Sequence, residues 1–114
     1  LVEPDLDQVK EAHRIDAQGV ELSAEGYVAA RDREARTKEI QRISDATRLA
    51  AKFGLEVFVG HGLNARNIPP LLGIEGLTRL NVGYSLAARS VVVGFDAAVR
   101  ELMALLESGP MPLR

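Results

Sequence analysis

The chain reads as an α/β protein built on a parallel sheet, and three observations lead there. Short apolar stretches near residues 19–22, 55–59 and 77–82 alternate with longer amphipathic ones, the pattern of strand–helix units joined by right-handed crossovers. The middle stretch, Leu55-Glu56-Val57-Phe58-Val59, is almost continuously apolar, as a strand covered on both faces must be. Each of the last two strands then empties into a glycine turn, Gly60-His61-Gly62 and Gly83-Tyr84-Ser85. In parallel α/β folds that is where ligands collect.

Taken in order, Leu1, Val2 and Glu3 resemble the last residues of a strand. Pro4-Asp5 opens a helix that Asp5 can cap, with Leu6, Val9 and Ala12 marking one buried face. His13 falls near its end, where a cation meets the helix dipole favourably, and is expected on the surface. Residues 19–22 form a short strand, and residues 23–30 a loop. The longest helix spans residues 32–53, with Ile40, Ile43, Ala46, Thr47, Ala50 and Ala51 inward and its mixed charges solvated. Gly54 stops it. After the strand at 55–59, Asn67 can cap a short helix over residues 68–72, because Pro69 and Pro70 fall in its first turn. The last strand lies within residues 77–82. A short helix is expected over residues 85–93, ending at Gly94. A further helix over residues 95–107 carries Phe95, Val99, Leu102 and Leu106 on one stripe. Residues 1–107 thus form part of a single domain, and residues 108–114 a frayed tail.

An open doubly wound sheet and a closed (β/α)8 barrel both satisfy this order. The extra short helix after the last strand favours the barrel, where such a helix and the loops after the last two strands often build a phosphate site. The two glycine turns serve equally as simple tight turns; their succession supports the phosphate reading. No P-loop, dinucleotide fingerprint or metal-ligand cluster competes with it.

At 114 residues the chain is one domain at most. A net charge of −2 lacks the electrostatic footprint of a nucleic-acid or anionic-membrane binder. No apolar run approaches the ~20 residues of a membrane span. With no cysteine there is neither a disulfide framework nor thiolate chemistry, which fits the cytosol. The first residue is not methionine, and the opening strand end suggests a piece of a longer protein.

Two side chains stand out as candidates for chemistry. His61 is a titratable imidazole between glycines that let a ligand approach the backbone closely. Its plainer reading is a loop histidine satisfied by a backbone carbonyl. Glu21 places an acid on a buried strand, which is costly without a partner or a task. Its plainer reading is a carboxylate paired to a neighbouring base.

Gly60-His61-Gly62-Leu63-Asn64, Leu80-Asn81-Val82-Gly83 and Ala88-Arg89-Ser90-Val91 together resemble the carboxyl-terminal half of the pyridoxine 5'-phosphate synthase family. Val20-Glu21-Leu22 with Tyr27, and Val2-Glu3-Pro4-Asp5, fit the same family at matching spacing. The resemblance implies a cytoplasmic (β/α)8 TIM barrel assembled as a homo-octamer, of which this chain is the carboxyl-terminal portion. It also implies the condensation of 3-amino-2-oxopropyl phosphate with 1-deoxyxylulose 5-phosphate, which closes the pyridine ring of vitamin B6 without metal or organic cofactor. Carried onto this chain, His61 matches the proton donor and Glu21 the carboxylate that stabilises the transition state. Gly62 matches a substrate-binding glycine, and Gly83 with Tyr84 the pair that binds the aminoketone phosphate.

The chain departs from the family's pattern at three places. The family usually has histidine at Tyr84, His-Thr-Gly at Ser23-Ala24-Glu25, and often asparagine at Phe58. Its other acid–base histidine and its glutamate base belong to the first half of the barrel. The 114-residue piece alone is therefore expected to be inactive. Tyr84, Phe58 and Ser23 favour an alternative, a non-catalytic barrel or half barrel that binds a phosphorylated metabolite or serves in assembly.

Overall fold

The structure is a computed structural model that describes residues 1–77, 79–82 and 94–108. Its elements run α1 (Leu6–Arg14), β1 (Gly19–Ser23), α2 (Glu25–Ala29), α3 (Arg33–Lys52), β2 (Glu56–Gly60), a 3-10 turn (Pro69–Gly73), β3 (Arg79–Asn81) and α4 (Phe95–Ser108). The helix expected over residues 85–93, the turn Gly83-Tyr84-Ser85 and residues 109–114 lie outside the described residues. Ser108, expected in a frayed tail, closes α4.

The sheet is three-stranded in the order β1-β2-β3, and both pairings are parallel. Val2 extends it on the other side of β1: its N–H donates to the Glu21 carbonyl at 2.7 Å, and its carbonyl accepts from Ser23 at 2.7 Å. The strand end at the start of the chain is thus present. Sequential parallel neighbours with α1 and α3 packed against each other and against β1 make a singly wound arrangement, consistent with a piece of a (β/α)8 barrel.

Alternation along the strands gives the sheet two unlike faces. Val20, Leu22, Val57 and Val59 are buried beneath α1 and α3 with Val9, Ile43, Ala46 and Ala50. Burying each valine, leucine or isoleucine among them fully stabilises by roughly 1.5–3 kcal/mol. The opposite face carries Gly19 and Glu21 from β1, Glu56, Phe58 and Gly60 from β2, and Arg79 and Asn81 from β3. There the Arg79 guanidinium lies 5.3 Å from the centre of the Phe58 ring.

Helix ends follow their capping residues. Asp5 accepts from the Asp7 N–H at 2.9 Å and Asp32 from the Ala35 N–H at 2.7 Å. Gly54, at φ +77°, takes the left-handed conformation after α3. His13 is exposed, as expected, and stacks on Phe53 with ring centres 4.1 Å apart.

Four sequence expectations are corrected. Leu6 is 45% exposed rather than buried. Steps of three drift about 60° round an α-helix, so Leu6 and Ala12 lie about 120° apart and α1 buries only Val9 and Ala12. Ala51 is exposed for the same reason, standing about 80° round from Ile43. On α4 the inward stripe is Ala98, Leu102 and Leu105, while Leu106 is 38% exposed, because the helix docks on the 3-10 turn. Residues 23–30, expected as loop, contain α2, whose first N–H is held by Ser23 Oγ at 3.2 Å and whose Tyr27 is buried.

Candidate active site at the strand ends

β1 and β2 end level with each other, Ser23 opposite Gly60. The Ala24 N–H then donates to the Gly60 carbonyl at 2.8 Å, carrying the pairing one step past the sheet. This contact brings the start of α2 beside the loop that follows β2.

In that loop the residue at the special backbone position is His61 itself, with φ +80°. A non-glycine side chain there is uncommon and costs energy unless its surroundings hold it. Gly62 follows at φ +88°, and a Cβ on it would meet Val28 Cγ2 of α2 at 3.2 Å. Gly60 is needed for a different reason: a Cβ there would sit 2.5 Å from Glu21 Oε1 and 2.8 Å from Asn81 Cβ. The glycine preceding His61 therefore makes room for the Glu21 carboxylate, and the sharp turn falls on His61 and Gly62.

Glu21 is half-buried on the sheet face opposite α1 and α3, and its Oε1 accepts from Asn81 Nδ2 at 3.1 Å. The pairing to a basic side chain considered from the sequence is here a hydrogen bond from a neutral amide. Glu21, Phe58 and Asn81 line an open groove on this face together with Gly19 and Glu56. His61 Nε2 lies 2.9 Å from Glu25 Oε1, so its partner is a carboxylate rather than a backbone carbonyl.

The loop beyond is braced from within. Asn64 Oδ1 accepts from the N–H groups of Arg66 at 2.8 Å and Asn67 at 3.1 Å. Asn67 Oδ1 accepts from the Asn64 N–H at 2.8 Å, and its Nδ2 donates to the Gly62 carbonyl at 3.0 Å. Asn67, expected as a helix cap, makes no cap bond to the 3-10 turn. From α2, the Tyr27 hydroxyl donates to the Asn67 carbonyl at 2.7 Å. Burial raises the Tyr27 pKa above the usual phenol value, and the positive charge of Arg36 partly opposes the rise.

The structure thus brings Glu21 beside Gly60 and places His61 and Gly62 directly after it, while the predicted phosphate pair Gly83 and Tyr84 falls outside the described residues. Sequence reasoning did not find the partners Glu25 and Asn81. Both carried a signal: Asn81 stands in the Leu80-Asn81-Val82-Gly83 motif, and Glu25 stands where the family usually has glycine. Among the described residues no group of His, Asp and Glu is arranged to hold a metal ion. No helix there is long and apolar enough to cross a membrane.

Residues 1–108 match the family model described as pyridoxal phosphate biosynthesis protein PdxJ. The chain belongs to the PdxJ family. Relatives named pyridoxine 5'-phosphate synthase include that of Syntrophotalea carbinolica, 41% identical over 106 residues, which are 93% of this chain and 44% of the relative. Those of Desulfatibacillum aliphaticivorans and Trichlorobacter lovleyi are 40% and 38% identical, covering 92% and 93% of this chain and 43% and 44% of the relatives. The chain therefore spans less than half the length of these PdxJ relatives.

Proposed function

We propose that this chain supplies the carboxyl-terminal part of the active site of a pyridoxine 5'-phosphate synthase. The observation that carries the reading is the convergence at the ends of β1 and β2, where Glu21 lies against Gly60 and the strained His61 follows immediately. The reaction condenses 3-amino-2-oxopropyl phosphate with 1-deoxyxylulose 5-phosphate into pyridoxine 5'-phosphate, releasing phosphate and water. Ring closure removes water from carbon, so a hydroxyl must be protonated as it leaves. An imidazole is suited to that near neutral pH. The protonated imines and the cation left behind carry positive charge, which a fixed carboxylate stabilises without reorganising. His61 takes the first role and Glu21 the second, with Asn81 holding the carboxylate in place. Gly62 lies against the substrate, and Gly83 with Tyr84 binds the aminoketone phosphate. The same reading carries a cytoplasmic homo-octamer as the working assembly.

A second reading, a barrel that binds a phosphorylated metabolite without turning it over, draws on one observation. Ser23, where the family usually has histidine, is buried and its hydroxyl is occupied with the Glu25 N–H. Assay of the full-length protein with both substrates separates the two. Turnover is expected, and His61→Asn should lower it by ~10²–10⁴-fold, the usual contribution of general acid–base catalysis. Binding of the substrates without product, or a His61→Asn variant with full turnover, refutes the assignment.

A further inference from the structure

We propose that Glu25 is a positioning residue for His61, fixing the imidazole through Nε2 so that its proton exchange with substrate runs through Nδ1. The inference deepens the catalytic reading and rests on it.

The geometry starts from the 2.9 Å contact between His61 Nε2 and Glu25 Oε1. An ionised carboxylate only accepts hydrogen bonds, so the nitrogen facing it must carry a hydrogen. In the neutral imidazole Nδ1 is then the free acceptor; in the imidazolium Nδ1–H is the proton left to give. Both partners are set on braced backbone. Glu25 opens α2 with its N–H on Ser23 Oγ, and that helix is held by buried Tyr27 and its bond to Asn67. His61 follows Gly60, whose carbonyl is bonded to Ala24, and precedes Gly62, whose carbonyl is bonded to Asn67. The His61 side chain remains 54% exposed, so the pairing leaves the ring open to a ligand.

The step balances without further reagents. The Nδ1–H proton passes to the leaving hydroxyl, and the carbon–oxygen bond breaks with its electron pair on oxygen. Water departs, and the neutral imidazole keeps its hydrogen on Nε2. The positive charge left on the substrate is the charge assigned to Glu21. The carboxylate behind the histidine of a serine hydrolase sets tautomer and orientation in the same way.

The test uses the full-length protein, labelled with ¹⁵N in histidine, as wild type, Glu25→Ala and Glu25→Gln. With the imidazole neutral, the ring nitrogens of His61 should report hydrogen on Nε2 in the wild type. Glu25→Ala should introduce the Nδ1–H form and lower kcat about tenfold or more with KM held, a share of the ~10²–10⁴ that acid catalysis supplies. Glu25→Gln, whose amide oxygen still accepts from Nε2–H, should keep the wild-type tautomer and most of the rate. Unchanged ring-nitrogen signals in Glu25→Ala overturn the pairing. Changed signals with unchanged kcat overturn the positioning role and leave the proposed function standing. A wild type without turnover overturns the catalytic role along with the function, while the spectra still decide the tautomer.

Discussion

Replacing Gly60 with alanine adds one methyl group at the most crowded point of the site. Its carbon would stand 2.5 Å from Glu21 Oε1 and 2.8 Å from Asn81 Cβ, where unstrained contacts lie at about 3.5–4.0 Å. The two neighbours differ in what they can give. The carboxylate ends a flexible side chain and can swing aside, but doing so leaves the amide of Asn81, now 3.1 Å away. Asn81 Cβ is fixed to the backbone of β3, which is paired to Gly60 itself, so β3 has to shift. Overpacking of this kind costs ~1–3 kcal/mol. In urea that is a fall of about 1 M in the unfolding midpoint, for a slope of ~1–3 kcal/mol per M. The assay is urea unfolding of the full-length protein as wild type, Gly60→Ala, Asn81→Gly and the double variant. Removing the Asn81 Cβ should relieve part of the strain, giving a coupling of at least about 0.5 kcal/mol. Turnover should fall in Gly60→Ala because Glu21 is displaced. A Gly60→Ala variant within about 0.5 kcal/mol of wild type, the usual range for harmless substitutions, refutes the reasoning.

Thr47 is fully buried in α3, and its hydroxyl has no hydrogen-bond partner among the described residues. Thr47→Val keeps the shape and removes an unsatisfied group that costs ~1–3 kcal/mol, so a rise in stability of about 1 kcal/mol is expected by denaturant unfolding. Tyr27→Phe should cost ~0.5–1.5 kcal/mol through loss of the bond to Asn67. Because the folded-state pKa of Tyr27 is raised, mainly by burial, its contribution is complete below the unfolded value of about 10 and fades as pH rises through the folded one. The stability gap between wild type and Tyr27→Phe should therefore be constant below about pH 10 and close above it. Tyr84→His should strengthen binding of inorganic phosphate, most of all below about pH 6.5 where histidine carries its charge. Calorimetric titration of both forms at two pH values checks this.

Signals that lie close together in the chain were enough for most of the elements. The cap Asp5, the stripe Ile43, Ala46, Thr47 and Ala50, and the stop at Gly54 each act within a turn or two, and each is realised in the structure. The short helix α2 escaped because five residues containing a glycine have little intrinsic helicity. It forms because Ser23 Oγ accepts from its first N–H and Tyr27 is buried. The glycine-histidine motif likewise pointed to the candidate site, and Glu21 stood out as an acid on an apolar strand.

What the sequence by itself determined is thus the parallel α/β class, the family, and the candidates His61 and Glu21. The tertiary structure decided how those candidates are held. Asn81 reaches Glu21 across 60 positions and Tyr27 reaches Asn67 across 40. Glu25 meets His61 only because β1 and β2 end in register with Ser23 opposite Gly60. Strand register is a property of the packed sheet, set by which faces are buried together, and no local pattern around Glu25 or His61 encodes it.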